Sequence, residues 1–293
     1  MIRWIPLLLC SVALAQPALD ERIKAAAGSS HVCLYARNLD SGASYGWRED
    51  EKVRTASTIK LPIMTAVFDA VEHGRAKWTE TLTLTNDEKV SGSGVIREFS
   101  DGLKLPLRDL VHMMIVVSDN TATNLILDRF TTDTVNVYLE KLGLKQTRSL
   151  RKILGDGKDL KPQPSGWSKA GRLPENQKFG IGVSTPREMV TILEMLERGE
   201  VVSPEASKEM IAILKRQQYR DGIARSLGEM PVASKTGALD HLRSDVSIVY
   251  SPRGRIAMAI TVEDIPNVDY SPDNPGLLTI SSLARILLDG LGK

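Results

Sequence analysis

Three short polar motifs hold side chains able to do chemistry together. Ser57-Thr-Ile-Lys60 sets a hydroxyl and an amine three residues apart. On a helix that spacing puts both on one face, so Lys60 can reach Ser57. At a helix start, free N–H groups and the dipole favour negative charge developing at the serine. A lysine in a dry cleft beside other cations can shed its proton and serve as base. Ser118-Asp119-Asn120 follows the apolar run Met113-Met-Ile-Val-Val117, so it reads as a polar loop thrust out of a buried helix pair. Lys235-Thr-Gly237 ends a predicted strand. There an ammonium and a hydroxyl, with a glycine allowing close approach, suit an anionic substrate. Singly, each motif also has an ordinary reading: an N-cap serine before a surface lysine, a helix stop, a common tripeptide.

Other chemistry-bearing residues give weaker patterns. The histidines at 31, 73, 112 and 241 lack the close H-x-H or H-x-x-x-H spacing of metal ligands, so no metal is expected. Cys33 lies in the apolar-rich run His31–Tyr35 and reads as a buried packing residue. Arg243, beyond the Lys235 strand, and Arg225, before it, are candidates for binding a carboxylate.

The elements that must position these residues are legible from periodicity. His31–Asn38 and Ser44–Trp47 read as a hairpin around Asp40-Ser-Gly. Helical spacing follows over Ile59–His73, Leu107–Val117, Thr121–Phe130 and Thr134–Leu142. From Lys152 to Gly182 the periodicity disappears into a long Gly-, Pro- and Lys-rich loop, a type usually functional in compact proteins. Helices resume at Thr185-Pro-Arg-Glu and at Ser203-Pro-Glu, the second running to about Gln218. Strands are predicted over Val232–Lys235, Asp245–Tyr250 and Arg255–Val262, and a closing helix over Leu277–Leu288. The expected fold is α+β, an α-β sandwich. It has a five-stranded antiparallel sheet with flanking helices, and a helical lobe (57–199) inserted between sheet-lobe segments 20–56 and 200–293. Chemistry belongs in the cleft between the lobes.

Composition sets the outer limits. The 293 residues are 42% hydrophobic and 25% charged, ordinary for a globular chain. Lys plus Arg (38) nearly balances Asp plus Glu (36), so no nucleic-acid partner is expected. Arg3, the apolar run Trp4–Leu14 and Ala13-Leu14-Ala15 read as a secretory leader over residues 1–15. The mature region, 16–293, is then a single secreted or periplasmic domain, with monomer as the default state. Bulky Leu9 before Cys10 argues against a lipoprotein anchor, and loss of the leader leaves Cys33 without a disulfide partner.

Together and in this order, S-x-x-K, S-D-N and K-T-G resemble the signature of the penicillin-recognising serine acyltransferases, specifically their class A β-lactamase branch. The resemblance extends along nearly the whole mature chain, including Leu107-Arg-Asp-Leu, the run through Thr121-Ala-Thr-Asn124, and Ser184-Thr-Pro-Arg-Glu-Met. It implies that Ser57 is the nucleophile, Lys60 its base or proton relay, and Ser118 the donor to the leaving nitrogen. Asn120 would bind a substrate amide, while Lys235, Thr236 and Gly237 would receive its carboxylate. The backbone N–H groups of Ser57 and Ala238 would form the oxyanion hole, and Asp119 would brace its loop. No cofactor is implied, and the partner is a β-lactam or a peptidoglycan-like acyl compound.

One part of the family pattern is missing. Class A β-lactamases carry E-x-x-L-N on the loop after the S-D-N helices, where the Glu activates the water that frees the enzyme. No such motif occurs here, and matching Thr147-Arg148 to the start of that loop puts Ile153 where the Glu is expected. Glu175, beside Asn176, and Asp156 are the replacement candidates. The departure keeps three functions open: a β-lactamase, a penicillin-binding D,D-peptidase-like or esterase-like acyl hydrolase with slow β-lactam turnover, and a non-catalytic binding module.

Overall fold

A computed structural model describes residues 11–155 and 166–292, with side chains from Pro17 onward. Residues 1–10 of the expected leader and Asp156 lie outside the described residues. After α1 (Ser11–Ala27) come β1 (His31–Asn38), β2 (Ser44–Trp47) and the two-residue β3 (Val53–Arg54). A 3-10 turn, Ala56–Ile59, runs directly into α2 (Lys60–Glu72). β4 (Thr81–Thr83) and β5 (Lys104–Pro106) precede α3 (Leu107–Val116), α4 (Asn120–Phe130) and α5 (Thr132–Lys141). β6 (Arg148–Ser149), α6 (Pro174–Gln177) and β7 (Gly182–Ser184) frame the long connection, followed by α7 (Pro186–Glu197) and α8 (Pro204–Leu214). The chain ends in β8 (Val232–Leu239), β9 (Leu242–Ser251), β10 (Gly254–Glu263) and α9 (Pro275–Leu291).

The expected five-stranded antiparallel sheet is present, in the order β2-β1-β10-β9-β8. Alternation decides which face each side chain serves. Val32, Leu34 and Ala36 of β1, with Ile256, Met258, Ile260 and Val262 of β10, pack on one face with α1 and α9. The other face, which includes Tyr35, Ala257, Ala259, Val246 and Ile248, joins the core of the helical lobe. α7 packs along β1 and β10, so the last helix of segment 57–199 sits on the sheet. Among the described residues, no helix is long and apolar enough to cross a membrane.

Three departures from the expected elements have physical causes. β8 does not stop at Lys235: the ladder continues through Thr236↔Asp245, Gly237↔Ser244 and Ala238↔Arg243 to Leu239. Gly237 is therefore no strand terminator. A Cβ there would stand 2.8 Å from the carbonyl oxygen of Thr55 and 3.1 Å from Ser57 N, so the glycine lets the strand pass the nucleophile turn. α8 ends at Leu214 because the chain peels away to finish α3, with Gln217 Nε2 donating to Ile115 O (2.8 Å) and Gln218 N to Val116 O (3.1 Å). The small sheets β3-β7-β6 and β4-β5 rest on two- and three-residue strands, too short to show alternation.

Candidate functional site

The free edge of β8 faces the turn that carries Ser57, and this edge is where the three motifs meet. Ala56 takes a positive φ of 45°, a conformation costly for a residue with a Cβ, which turns the chain sharply just before Ser57. Ser57 then lies in the first turn of the continuous 3-10/α2 helix and is half-buried. Lys60 opens α2 and is wholly buried. Its Nζ donates to Ser118 O (2.6 Å), Ser118 Oγ (3.1 Å) and Asn120 Oδ1 (2.8 Å). Among the described residues, no hydrogen bond links Lys60 to Ser57, although the two share the start of the helix.

Ser118 is held with φ at 56°, a second strained residue. This conformation turns its hydroxyl toward both lysines, for Lys235 Nζ also donates to Ser118 Oγ (3.0 Å), as well as to Thr236 O (2.7 Å). Burying two amines around one hydroxyl penalises their charged forms, and both are held below the usual lysine range. Burial, reinforced by the charge of Lys235 and opposed by Asp119, holds Lys60 well below the usual lysine range. Burial likewise pulls Lys235 down to about 7, with Asp245 opposing. Asp245, opposite Thr236 across the β8–β9 ladder, is itself pushed up to about 6 by burial, an effect opposed by its bonds from Ser247 Oγ and Ile223 N. The cleft thus holds one amine poised to be neutral and another balanced near neutrality.

Asp119 does what the sequence suggested. It caps α4 through Ala122 N (2.8 Å) and accepts from Val95 N (2.7 Å) and Ile96 N (2.9 Å). Those last contacts belong to a feature the sequence reading missed, the loop Ser91-Gly92-Ser93-Gly94 laid over the S-D-N turn. Asn120 Nδ2 donates to Ser91 O (2.9 Å) and Asn120 N to Ser93 O (2.9 Å). Gly92 and Gly94 have φ of 96° and 102°, and a Cβ on either would collide with Asn120 or Asp119. Alternating glycines before an S-D-N turn were the available signal.

The segment after β6, packed on α4 and against Ser91, is organised differently. Ile153 is buried, and its main chain is gripped by the Asn124 side chain, which donates to Ile153 O (2.9 Å) and accepts from Ile153 N (2.9 Å). Gly155 abuts Ser91, whose Oγ would lie 2.4 Å from an added Cβ. Nearby, Lys152 Nζ pairs with Asp128 (2.5 Å) and Glu88 (3.1 Å). The structure does not bring Glu175 to this place. It is exposed in the first turn of α6, with no hydrogen bond or ion pair to Ser57, Lys60, Ser118 or Lys235. That stretch is anchored elsewhere, by Lys169 N on Asp133 Oδ1 (2.8 Å) and Asn176 Nδ2 on Ala170 O (3.0 Å).

Thr236 is half-buried and Ala238 exposed on the cleft edge of β8. Arg243 departs from expectation. Its guanidinium donates to Leu239 O (2.5 Å), Leu242 O (2.6 Å) and Asp269 O, and lies over the Tyr270 ring at 4.8 Å. These partners make it a fastener of the β8–β9 hairpin rather than a free carboxylate ligand. Arg225 is similarly occupied by Pro272 O and Asp273 (both 2.5 Å). Cys33 is buried as expected, and burial pushes its thiol up to about 12, away from nucleophile behaviour.

Comparison with known proteins gives the family and the fold. The model of the β-lactamase enzyme family matches residues 16–291. The solved β-lactamase of Sphaerobacter thermophilus is 30% identical, with a TM-score of 0.79 over 94% of this chain and 97% of that one. A PBP-A variant carrying a leucine-to-glutamate substitution, solved as an acyl-enzyme complex with penicillin G, is 26% identical, with a TM-score of 0.78 over 95% and 96% of the two chains. β-Lactamase L2 of Stenotrophomonas maltophilia is 25% identical over 225 residues, 75% of this chain and 69% of that protein.

Proposed function

The chain belongs to the β-lactamase enzyme family, and from that premise we propose that it is a serine acyl hydrolase that opens the β-lactam ring on Ser57. The convergence of Lys60 and Lys235 on the Ser118 hydroxyl, beside the Ser57 turn, carries this reading. Ser57 Oγ attacks the ring carbonyl and gives its proton to Lys60, whose desolvated amine is available as a base. The tetrahedral oxyanion is received by the N–H groups of Ser57 and Ala238, each such donor contributing on the order of 3 kcal/mol. As the ring C–N bond breaks, the Ser118 hydroxyl passes a proton to the nitrogen and is resupplied from the lysine pair. Asn120 meets the substrate's side-chain amide, and Lys235 with Thr236 and Gly237 receives its carboxylate. The residues suffice for this reaction without a cofactor, and the same cleft suits a peptidoglycan-like acyl compound. The expected leader fits action outside the cytoplasm.

A second reading concerns the fate of the acyl-enzyme. Ile153 offers no carboxylate to activate water, and Glu175 is exposed elsewhere. Both features favour a long-lived adduct, as in a penicillin-binding D,D-peptidase-like enzyme. One general base contributes roughly 10²–10⁴-fold, enough to separate the two behaviours. Intact-mass spectrometry of the protein with excess benzylpenicillin, followed from seconds to hours, is the test. A transient adduct with many equivalents hydrolysed supports a β-lactamase, a persistent equimolar adduct supports the second reading, and no adduct overturns both.

A further inference from the structure

At the start of β1 and on the connection that leads through β3 to Ser57, three side chains of different chemistry point at one another. His31 and Cys33 are two residues apart on the same strand and therefore share one face of the sheet. Glu51, on the connection from β2 to β3, reaches that face, its Oε1 lying 2.8 Å from His31 Nε2. Cys33 Sγ lies 3.6 Å from the same ring nitrogen. The three potential ligand atoms all fall within 4.8 Å of one another.

The sharing of one nitrogen is informative. In a nucleophile–base–carboxylate relay the two partners bind opposite nitrogens of the imidazole, one on each side. Here the thiol and the carboxylate both approach Nε2, which is what donors arranged around a single point do. Fully buried Cys33 is also closed to any substrate. Around zinc, bonds of about 2.3 Å to sulfur and about 2.0–2.1 Å to nitrogen or oxygen put tetrahedral neighbours roughly 3.3–3.6 Å apart. The sulfur–nitrogen separation already matches, and the nitrogen–oxygen pair needs to open by only about half an ångström to match.

We propose that His31, Cys33 and Glu51 form a binding site for a borderline-soft divalent cation, zinc by the character of its donors. Nitrogen, sulfur and carboxylate oxygen together select such an ion over the hard cations, which take oxygen alone. His31 and Glu51 keep part of their surface in solvent, which gives the ion an entry path and leaves its fourth position to water. His31 and Cys33 are held by the ladder to β10, where they stand opposite Glu263 and Thr261. Opposite His31 in register, Glu263 adds negative charge and is itself bound by Arg54 Nε (2.9 Å). A bound ion would staple β1 to the segment that leads through β3 into the Ser57 turn. The site is independent of the acylation chemistry, so neither proposal falls with the other.

The test uses the metal-stripped full-length protein titrated with Co²⁺, watched for the thiolate-to-metal charge-transfer absorption, and then with Zn²⁺ as competitor. The expected result is a band that saturates at equimolar Co²⁺ and is abolished by Zn²⁺. Cys33→Ser should remove the band. Glu51→Gln, at an exposed position that leaves the core intact, should weaken Co²⁺ binding by roughly 10–100-fold. Co²⁺ uptake without a charge-transfer band would mean an adventitious surface ion only, and would overturn the site. Unchanged affinity in Glu51→Gln, or no uptake at all, would overturn it as well.

Discussion

Two walls that meet at α4, one gathering the three motifs and the other holding Ile153, are built on opposite principles. On the wall formed by α2, the S-D-N turn and β8, charged and hydroxyl groups are buried and point at each other, at the cost of two strained residues and two displaced lysine pKa values. On the wall at Ile153, hydrogen bonding goes into fixing the main chain, through Asn124, while the side chain at the position of interest is apolar. The first wall converges its charged groups on one hydroxyl, and the second gives its hydrogen bonds to its own main chain. On the proposed mechanism, forming an acyl-enzyme and releasing it are separable properties, and each can be attacked without the other.

The most severe break is on the first wall. Ser57→Ala removes the atom proposed to take the acyl group, so the benzylpenicillin adduct should vanish from the intact-mass spectrum while the circular dichroism spectrum is retained. Next comes Lys60→Ala, expected to slow acylation by roughly 10²–10⁴-fold by stopped-flow mixing. A smaller loss would mean that Lys235 or solvent takes the Ser57 proton.

Ile153→Glu attacks the second wall by adding what it lacks. The adduct's lifetime should shorten by about tenfold or more, up to the roughly 10⁴-fold limit for a general base, since burial raises the new carboxyl's pKa toward the range useful for accepting a proton. Glu175→Gln should leave that lifetime unchanged. A longer-lived adduct in Glu175→Gln would show that the long loop swings its glutamate into the cleft, and the contrast between the walls would be lost.

The pH dependence separates the two lysines. Lys60 must be neutral to act as base, so acylation should decline as pH falls through its depressed pKa. Lys235 attracts a carboxylate only while charged. Its pKa of about 7 predicts a rising KM for anionic penicillins as pH climbs above that value, unless the bound carboxylate itself holds the proton in place. The stability effect has a definite sign. Above about pH 7 and below the ordinary lysine value of about 10.4, the unfolded chain holds the Lys235 proton that the folded chain has lost, so this group makes stability rise with pH. A thermal-melt series of wild type against Lys235→Met checks the slope.

The first wall was the legible one. Ser57 and Lys60 share a helix face by their spacing, the roles of Ser118, Asn120 and Lys235 follow from the resemblance that the three motifs carry together, and the sheet follows from alternation and turn residues. What could not be read is long-range. Arg243 looks free in sequence because nothing local shows that Asp269 O and Tyr270 come round to meet it. In Lys235-Thr-Gly the glycine reads as admitting a substrate at a strand end, whereas the close approach it allows is that of Thr55 and Ser57, past which the strand continues. The loop Ser91–Gly94 has no periodicity, and its meaning comes from backbone carbonyls paired with residues about 30 positions away.

Asn124 offers the gentlest test of the second wall. It is fully buried on α4, four residues beyond Asn120, and satisfies both main-chain groups of Ile153. Asn124→Ala leaves an N–H and a carbonyl unpaired in a region with little water to replace the amide, a loss of about 1–3 kcal/mol. Asn124→Asp should cost less at a pH low enough to keep its buried carboxyl protonated, because the neutral acid accepts from Ile153 N and donates to Ile153 O. The melting temperature should fall in that order. Amide exchange at 153–155 should quicken in Asn124→Ala, while the acylation rate at Ser57 stays close to wild type because no Lys60 or Ser118 contact is touched. If acylation falls with exchange protection, the walls are mechanically coupled, and Gly155 against Ser91 is the contact through which they would be joined.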